Sequence, residues 1–280
     1  MTRSRVKRLL KTSPRVSPFL VIGDPTPQLS VELARAAVGA GADMIELGFP
    51  YSDPVADGPA IQAAAGRSLA GGTSTTQAIA LLGRVHDAVP ETPLNLLVYG
   101  NLVHARGFDR FCEEVALAGA STLLVPDIPL EESAVLKRAC RKAGLGHVQL
   151  VGPLTSRERL ARIDRFADSF VYLVAHQGVT GVRSGGFDAV EMLVARVANA
   201  VSNPLCLGFG LSKREQIERA FRAGARLAVV GSHLANVIGA VWADDQPGRD
   251  RMVVEAFSEA LRTLTTPETG RKEEHAGHHA

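Results

Sequence analysis

Short apolar runs of four to six residues alternate with longer amphipathic stretches along most of the chain. The runs are Phe19–Ile22, Met44–Phe49, Leu94–Tyr99, Ser121–Val125, His147–Val151, Phe170–Val174, Pro204–Gly208 and Leu227–Val230. Between them, Val31–Ala40, Ser74–Ala88, Phe108–Ala118, Glu131–Ala143 and Glu191–Ala200 carry helical spacing of apolar residues. Runs this short and this apolar are what strands buried on both faces require. Their alternation with helices predicts a parallel sheet, and eight such units predict closure into a single (β/α)8 barrel over residues 16–265. An open doubly wound sheet is the main rival, but no G-x-G-x-x-G follows the first run. Gly41-Ala42, Gly119-Ala120 and Gly224-Ala225 each close a helical pattern just before an apolar run.

The chain has 280 residues, ordinary for one barrel. Its 31 basic and 29 acidic residues nearly balance, which gives no electrostatic reason to expect nucleic acid as a partner. No apolar run approaches the roughly 18 residues needed to cross a membrane. Cys112, Cys140 and Cys206 are widely spaced and suit a reducing compartment such as the cytoplasm. Residues 1–15 are basic and without acid. They read as a short surface helix with Val6, Leu9 and Leu10 on one side, in preference to a transit peptide, because no apolar signal core follows. Residues 266–280 form a polar tail expected to be disordered; His275, His278 and His279 there are weaker candidates for metal binding.

In the second run Ile45, Leu47 and Phe49 share one face, which should meet the helices, so Glu46 should point into the barrel near its C-terminal mouth. A carboxylate there is either an acid/base catalyst or half of a structural ion pair; its place at a strand end favours catalysis. The following Pro50–Pro59 loop is long and Pro-rich, and holds Asp53 and Asp57. Gly208–Ser212 and Gly231-Ser232 follow the last two strands, where barrels commonly hold phosphate on backbone N–H groups. Ser212 and Glu215 have the spacing of a capping box. The segment Gln177–Gly186 reads equally as a mobile lid or a disordered connector. No lysine falls in a predicted strand, which disfavours a Schiff base, and no compact His/Asp/Glu cluster suggests a metal site.

The stretches Pro18–Pro25 (PFLVIGDP) and Ile45–Gln62 (IELGFPYSDPVADGPAIQ) resemble the tryptophan synthase alpha family. So do Tyr99–Leu102, Asp127–Ser133, Gly178–Gly181, Gly208–Gly210 and Gly231-Ser232. The resemblance covers roughly residues 15 to 262. It implies cleavage of indole-3-glycerol phosphate to indole and glyceraldehyde 3-phosphate, in tryptophan biosynthesis. Glu46 would be the general acid/base and Asp57 the second catalytic carboxylate. Tyr172 would stand beside them, and Phe19, Leu97 and Phe209 would line the indole pocket. Gly181, Gly210, Gly231 and Ser232 would hold phosphate, and Thr180 would bond Asp57 from the lid. The implied partner is a beta subunit carrying pyridoxal phosphate (PLP) in an alpha2beta2 complex, with Asp53 turned toward it; the alpha chain needs no cofactor of its own. His176-Gln177 and Ala65-Gly66 depart from the family pattern, which bears on lid closure and partner docking more than on chemistry.

Three alternatives stand beside this reading. One is a stand-alone lyase that releases indole for secondary metabolism. Another is a non-catalytic barrel that activates a partner enzyme, against which the presence of both Glu46 and Asp57 counts. A generic sugar-phosphate isomerase is disfavoured because the strands lack a base paired with His or Lys.

Overall fold

A computed structural model describes residues 2–55, 57–174, 186–208 and 210–266. Eight parallel strands close into a ring in chain order: β1 (Arg15–Val21), β2 (Ile45–Gly48), β3 (Leu94–Leu97), β4 (Ala120–Leu124), β5 (Gly146–Val151), β6 (Val171–Leu173), β7 (Leu205–Leu207) and β8 (Leu227–Val230). The helices are α1 (Thr2–Thr12), α2 (Pro27–Gly39), α3 (Pro59–Ala70), α4 (Thr75–Ala88), α5 (Gly100–Arg106), α6 (Phe108–Leu117), α7 (Ala134–Ala143), α8 (Arg157–Phe166), α9 (Gly186–Ala198), α10 (Arg214–Arg222), α11 (Ser232–Ala243) and α12 (Arg249–Thr265). The fold is a (β/α)8 barrel.

Each strand splits its side chains between two apolar layers, as alternation requires. Ile45, Leu47 and Phe49 join the layer between strands and helices, with Leu96, Leu123 and Leu207. Phe19, Met44, Leu124, Phe170, Tyr172 and Val229 fill the barrel's interior. The Gly-Ala pairs end helices in the expected way. Gly41 N–H bonds Val38 O (3.0 Å) and Ala42 N–H bonds Ala37 O (2.9 Å); Gly224 and Ala225 repeat this on Phe221 and Ala220. The arrangement needs a positive φ at the glycine, and Gly41 stands at +89°.

Among the boundaries that depart from expectation are those of β1, α7 and α10. β1 begins at Arg15, four residues early, because Arg15–Pro18 pairs with Leu227–Val230 of β8. Its polar residues hide the strand from a hydrophobicity reading; Arg15 is held by Asp43 at 2.6 Å. α7 begins at Ala134 instead of Glu131, since Pro129–Ser133 is taken up by a turn in which Glu132 N–H bonds Pro129 O. α10 begins at Arg214, and Gln216, not Glu215, reaches back to the N–H groups of Ser212 (2.9 Å) and Lys213 (3.1 Å).

The basic N-terminal segment forms the expected helix, with Arg8 and Lys11 exposed and its apolar side turned inward. α1 packs against β4 and β5, and Val6 and Leu10 are completely buried in the inner layer. Arg226, just before β8, donates to Leu10 O and Lys11 O (both 2.9 Å), while Lys7 donates to Asn203 Oδ1 before β7 (2.6 Å). The helix therefore closes the N-terminal end of the barrel. Val6 and Leu10 are four apart, about one helical turn, so they share a face while Arg8 and Lys11 stay exposed. No helix among the described residues is long and apolar enough to cross a membrane.

His147, the second residue of β5, faces the helix side. It is 1% exposed, and its Nδ1 has no partner. Burial, reinforced by Lys137 and Arg141 and opposed by Asp168, pushes its pKa down to about 4. The unfolded chain takes up this proton near pH 6.5 and the folded chain only near 4. This group's stability contribution is thus complete above pH 6.5 and declines as pH falls toward 4. We expect His147→Gln to flatten the fall in unfolding free energy between pH 7 and 4.5 by up to about 3 kcal/mol, read from urea titrations of both proteins at each pH. Parallel pH dependences in the two proteins would show that His147 is not the group responsible.

Candidate active site

Glu46 is the second residue of β2 and is 1% exposed. Register places Phe19, Glu46, Asn95 and Thr122 side by side across β1 to β4. Inside the barrel these polar groups form a chain: Thr122 Oγ1 donates to Asn95 Oδ1, and Asn95 Nδ2 donates to Glu46 Oε2. From β6, Tyr172 donates its hydroxyl to the other oxygen, Oε1, at 2.9 Å. Both carboxylate oxygens are thus held by fixed donors. Burial pushes the Glu46 pKa up to about 7, against the opposing pull of Tyr172 and Asn95 and with a further push from Asp57. Such a group exists in both protonation states near neutral pH, which suits it to both give and take a proton. Tyr172 fits here because residue 208 is glycine: a Cβ at Gly208 would lie 1.9 Å from the tyrosine oxygen.

Asp57 is half-buried in the loop between β2 and α3. Its Oδ2 accepts from the Tyr99 hydroxyl at 3.0 Å, and its backbone carbonyl accepts from Gln62 Nε2 at 2.8 Å. Burial raises its pKa, with Tyr99 pulling the other way. Phe19 and Leu97, apolar and at least partly buried, belong to the same inner layer as Tyr172. Glu46, Asp57, Tyr172, Phe19 and Leu97 therefore come together at one end of the barrel. Asp53 is exposed and does not enter this group; Ser52 Oγ donates to it at 2.5 Å. Ala65, on α3, is buried in the inner layer.

At the same mouth α11 starts at Ser232 with no side-chain cap on its free N–H groups. Gly231 is its N-cap, and a Cβ there would sit 3.4 Å from Phe19 Cβ, so this N-terminus borders the apolar pocket. Uncapped N–H groups beside a pocket can receive an anion. Gly210 precedes α10 with φ +71° and is exposed. Thr180, Gly181 and Phe209 lie outside the described residues, as do His176, Gln177 and the rest of 175–185. The 267–280 tail with its three histidines does too. Among the described residues, no three His, Cys, Asp or Glu side chains converge in a way that could hold a metal.

Asn95, Thr122 and Tyr99 are absent from the residues that sequence reasoning nominates. Their signal was there: Asn95 and Thr122 are lone polar residues on inward-facing positions of apolar runs, as Glu46 is. Tyr99 closes the third run, and its hydroxyl bonds a residue 42 positions away.

Residues 8–264 match the sequence profile of the tryptophan synthase alpha chain. The chain belongs to that family. The tryptophan synthase alpha chain of Prochlorococcus marinus is 44% identical over 223 residues, covering 80% of this chain and 81% of its own. That of Corynebacterium aurimucosum is 38% identical over 236 residues, covering 83% and 84%. Among solved structures, tryptophan synthase subunit alpha from Legionella pneumophila superposes with a TM-score of 0.82 at 28% identity, covering 95% of this chain and 98% of its own. A chain from the mutually activating tryptophan synthase α2β2 complex of Pyrococcus furiosus gives 0.81 at 32% identity, covering 90% and 98%. The stretch that matches the tryptophan synthase alpha profile spans every site residue named above.

Proposed function

We propose that this chain cleaves indole-3-glycerol phosphate to indole and glyceraldehyde 3-phosphate, as its resemblance to the tryptophan synthase alpha family implies, with Glu46 and Asp57 as its catalytic groups. The observation that carries this reading is the pair itself. A buried carboxyl with a pKa of about 7 faces a pocket whose other acid is fixed by Tyr99. Retro-aldol cleavage needs a place for the electron pair of the breaking bond. Protonating indole C3 makes the ring nitrogen cationic, and Asp57 accepts the N1–H and stabilises that charge. Glu46 supplies the C3 proton and takes the proton of the side-chain hydroxyl; the carbonyl then forms as the carbon–carbon bond breaks and the ring regains its aromaticity. Phe19, Leu97, Tyr172 and Phe209 hold the indole. Gly210, Gly231 and Ser232 receive the phosphate on backbone N–H groups; the resemblance gives Gly181 the same task and has Thr180 bond Asp57. This half-reaction asks no cofactor of the chain.

In this reading the partner is a beta subunit carrying PLP in an α2β2 complex, the assembly named for the Pyrococcus furiosus relative. The exposed Asp53 and Val55 are offered to it. The cytoplasm suits three buried, unpaired cysteines. An indole-release assay on the purified chain, with and without beta subunit, tests the proposal. Cleavage that rises on adding beta subunit supports it; full turnover by the chain alone, unchanged by the partner, points to a stand-alone lyase. Absence of cleavage under both conditions overturns it.

The phosphate end has its own test. Gly231→Asp adds a carboxylate at the N-cap of α11, a position that tolerates aspartate well, and the added Cβ meets only ordinary contacts. The fold should survive while glycerol phosphate binding weakens at least tenfold, since like charges about 4 Å apart repel by about 4 kcal/mol at an effective dielectric of 20. Binding of free indole should stay within about twofold. Calorimetric titration with each ligand reads the difference, and equal losses for both would place the phosphate elsewhere.

A further inference from the structure

We propose that Tyr51 is a positioning residue that holds Asp57 in place by acting through Tyr99. The proposal rests on the catalytic role given to Asp57 above. The Tyr51 ring stacks on Tyr99, with centroids 5.0 Å apart and planes 25° from parallel. Its hydroxyl accepts a hydrogen bond from Asn101 Nδ2 at 2.8 Å. Tyr99 thus meets the loop twice: its face takes Tyr51 and its hydroxyl holds Asp57, six residues further on.

The two sides of this contact differ in rigidity. Tyr99 is 2% exposed and follows directly on β3 and the residue Val98, itself completely buried. Asn101 lies in the first turn of α5, whose leading N–H, that of Gly100, is pinned by Asp127 Oδ1 at 2.8 Å. The loop side is open: Ser52, Asp53 and Val55 between the two anchors are all exposed, Val55 to 85%. An exposed loop segment has little packing to hold it and opens readily. The Tyr51 stack fixes its near end to the same ring whose hydroxyl fixes its far end, and so closes the segment onto a rigid base. Without Tyr51, Asp57 depends on Tyr99's hydroxyl and the Gln62 bond to its carbonyl. The carboxylate then spends less time facing the pocket, and turnover falls while the apolar and phosphate contacts of the substrate remain.

The test compares Tyr51→Leu, which removes stack and hydroxyl, with Tyr51→Phe, which keeps the stack. It measures kcat and KM for indole-3-glycerol phosphate across pH, with Asp57→Asn as the reference. Loss of one hydrogen bond worth about 1 kcal/mol changes a conformational population by roughly fivefold; with loss of the stack as well, kcat for Tyr51→Leu should fall by about tenfold or more. We expect Tyr51→Phe to lose only about two- to threefold and KM to stay within about twofold in both. Burial raises the Asp57 pKa and outweighs the opposing bond from Tyr99, so a carboxylate that leaves the pocket more often titrates closer to the ordinary aspartate range. The acid limb of kcat should therefore move to lower pH in Tyr51→Leu and much less in Tyr51→Phe. A purely structural role would lower the unfolding midpoint and leave that limb where it is; this result overturns the proposal, as does an unchanged kcat in Tyr51→Leu. If Asp57→Asn is inactive while Tyr51→Leu matches the unmodified chain, the Tyr51 proposal fails and the role of Asp57 stands. If Asp57→Asn retains full turnover, both fail.

Discussion

Glu46→Gln should lose at least a hundredfold in indole release and, in the same molecule, gain resistance to unfolding above pH 7. The loss follows from the removal of a proton carrier, a contribution typically of about 10²–10⁴-fold. Glutamine keeps the shape of the side chain, so the well formed by Asn95 and Tyr172 stays filled. The gain follows from burial. Glu46 titrates near 4.5 in an unfolded chain and near 7 in the folded one. The folded state therefore holds this proton more tightly between those values. Its stabilising contribution is complete below pH 4.5 and is lost as pH rises through 7; above 7 the buried charge costs up to about 3 kcal/mol. Glutamine never carries that charge. Urea unfolding at pH 8 should show the variant more stable than the unmodified chain, and at pH 4.5 the difference should nearly vanish. A variant keeping more than about a tenth of the activity would remove Glu46 from the mechanism. Equal stability of the two proteins at pH 8 would mean that the carboxylate is not desolvated as the structure has it.

Asp57→Asn should lower kcat by about 10²–10³-fold with KM within a few-fold, because the charge Asp57 answers develops at N1 chiefly on the way to the transition state. The amide oxygen can still accept from Tyr99, so the loop keeps its tether and the substrate its apolar and phosphate contacts. The unmodified chain should also lose kcat, as pH falls, at a higher pH than an ordinary aspartate dictates, since burial raises the Asp57 pKa. That limb should be absent from the residual activity of the asparagine variant. Steady-state rates of indole release from pH 4.5 to 8 supply both readings. A rise in KM at constant kcat would instead make Asp57 a binding residue.

Most of the barrel could be read from the chain because parallel strands buried on both faces announce themselves as apolar runs. β2 shows why a site residue could be read too: Glu46 is charged where its neighbours on either side are apolar, and alternation then decides which way it faces. What escaped depends on contacts between distant residues. Tyr99 meets Asp57 across 42 positions, and Thr122 meets Asn95 across strands whose pairing shifts register beside Asn95. Nothing local distinguishes a polar residue that supports a catalytic group from one that merely bonds its neighbour. The burial of α1 was hidden by its composition, since the lysines and arginines around Val6 and Leu10 suggest a solvated helix.

The seam between the first and last strands has a consequence for synthesis of the chain. Arg15–Pro18 finds its partner only in Leu227–Val230, more than 200 residues later. The same ends are tied again where Thr265 Oγ1 donates to Ala40 O at 2.5 Å and where α12 packs on α2. A nascent chain released from the ribosome up to β7 thus carries one unpaired strand edge on β1 and another on β7. Both are parallel edges, apolar on β7 and mixed over Arg15–Pro18 on β1, and unpaired edges invite association with other chains until they are covered. Ring closure and the docking of α12 must follow emergence of the C-terminal residues, which makes the last fifty residues the kinetic gate for the first seven strands. Chains stalled or truncated before Leu227 are the ones that should collect in the aggregated fraction of a translation reaction, while chains that reach Thr265 should be soluble.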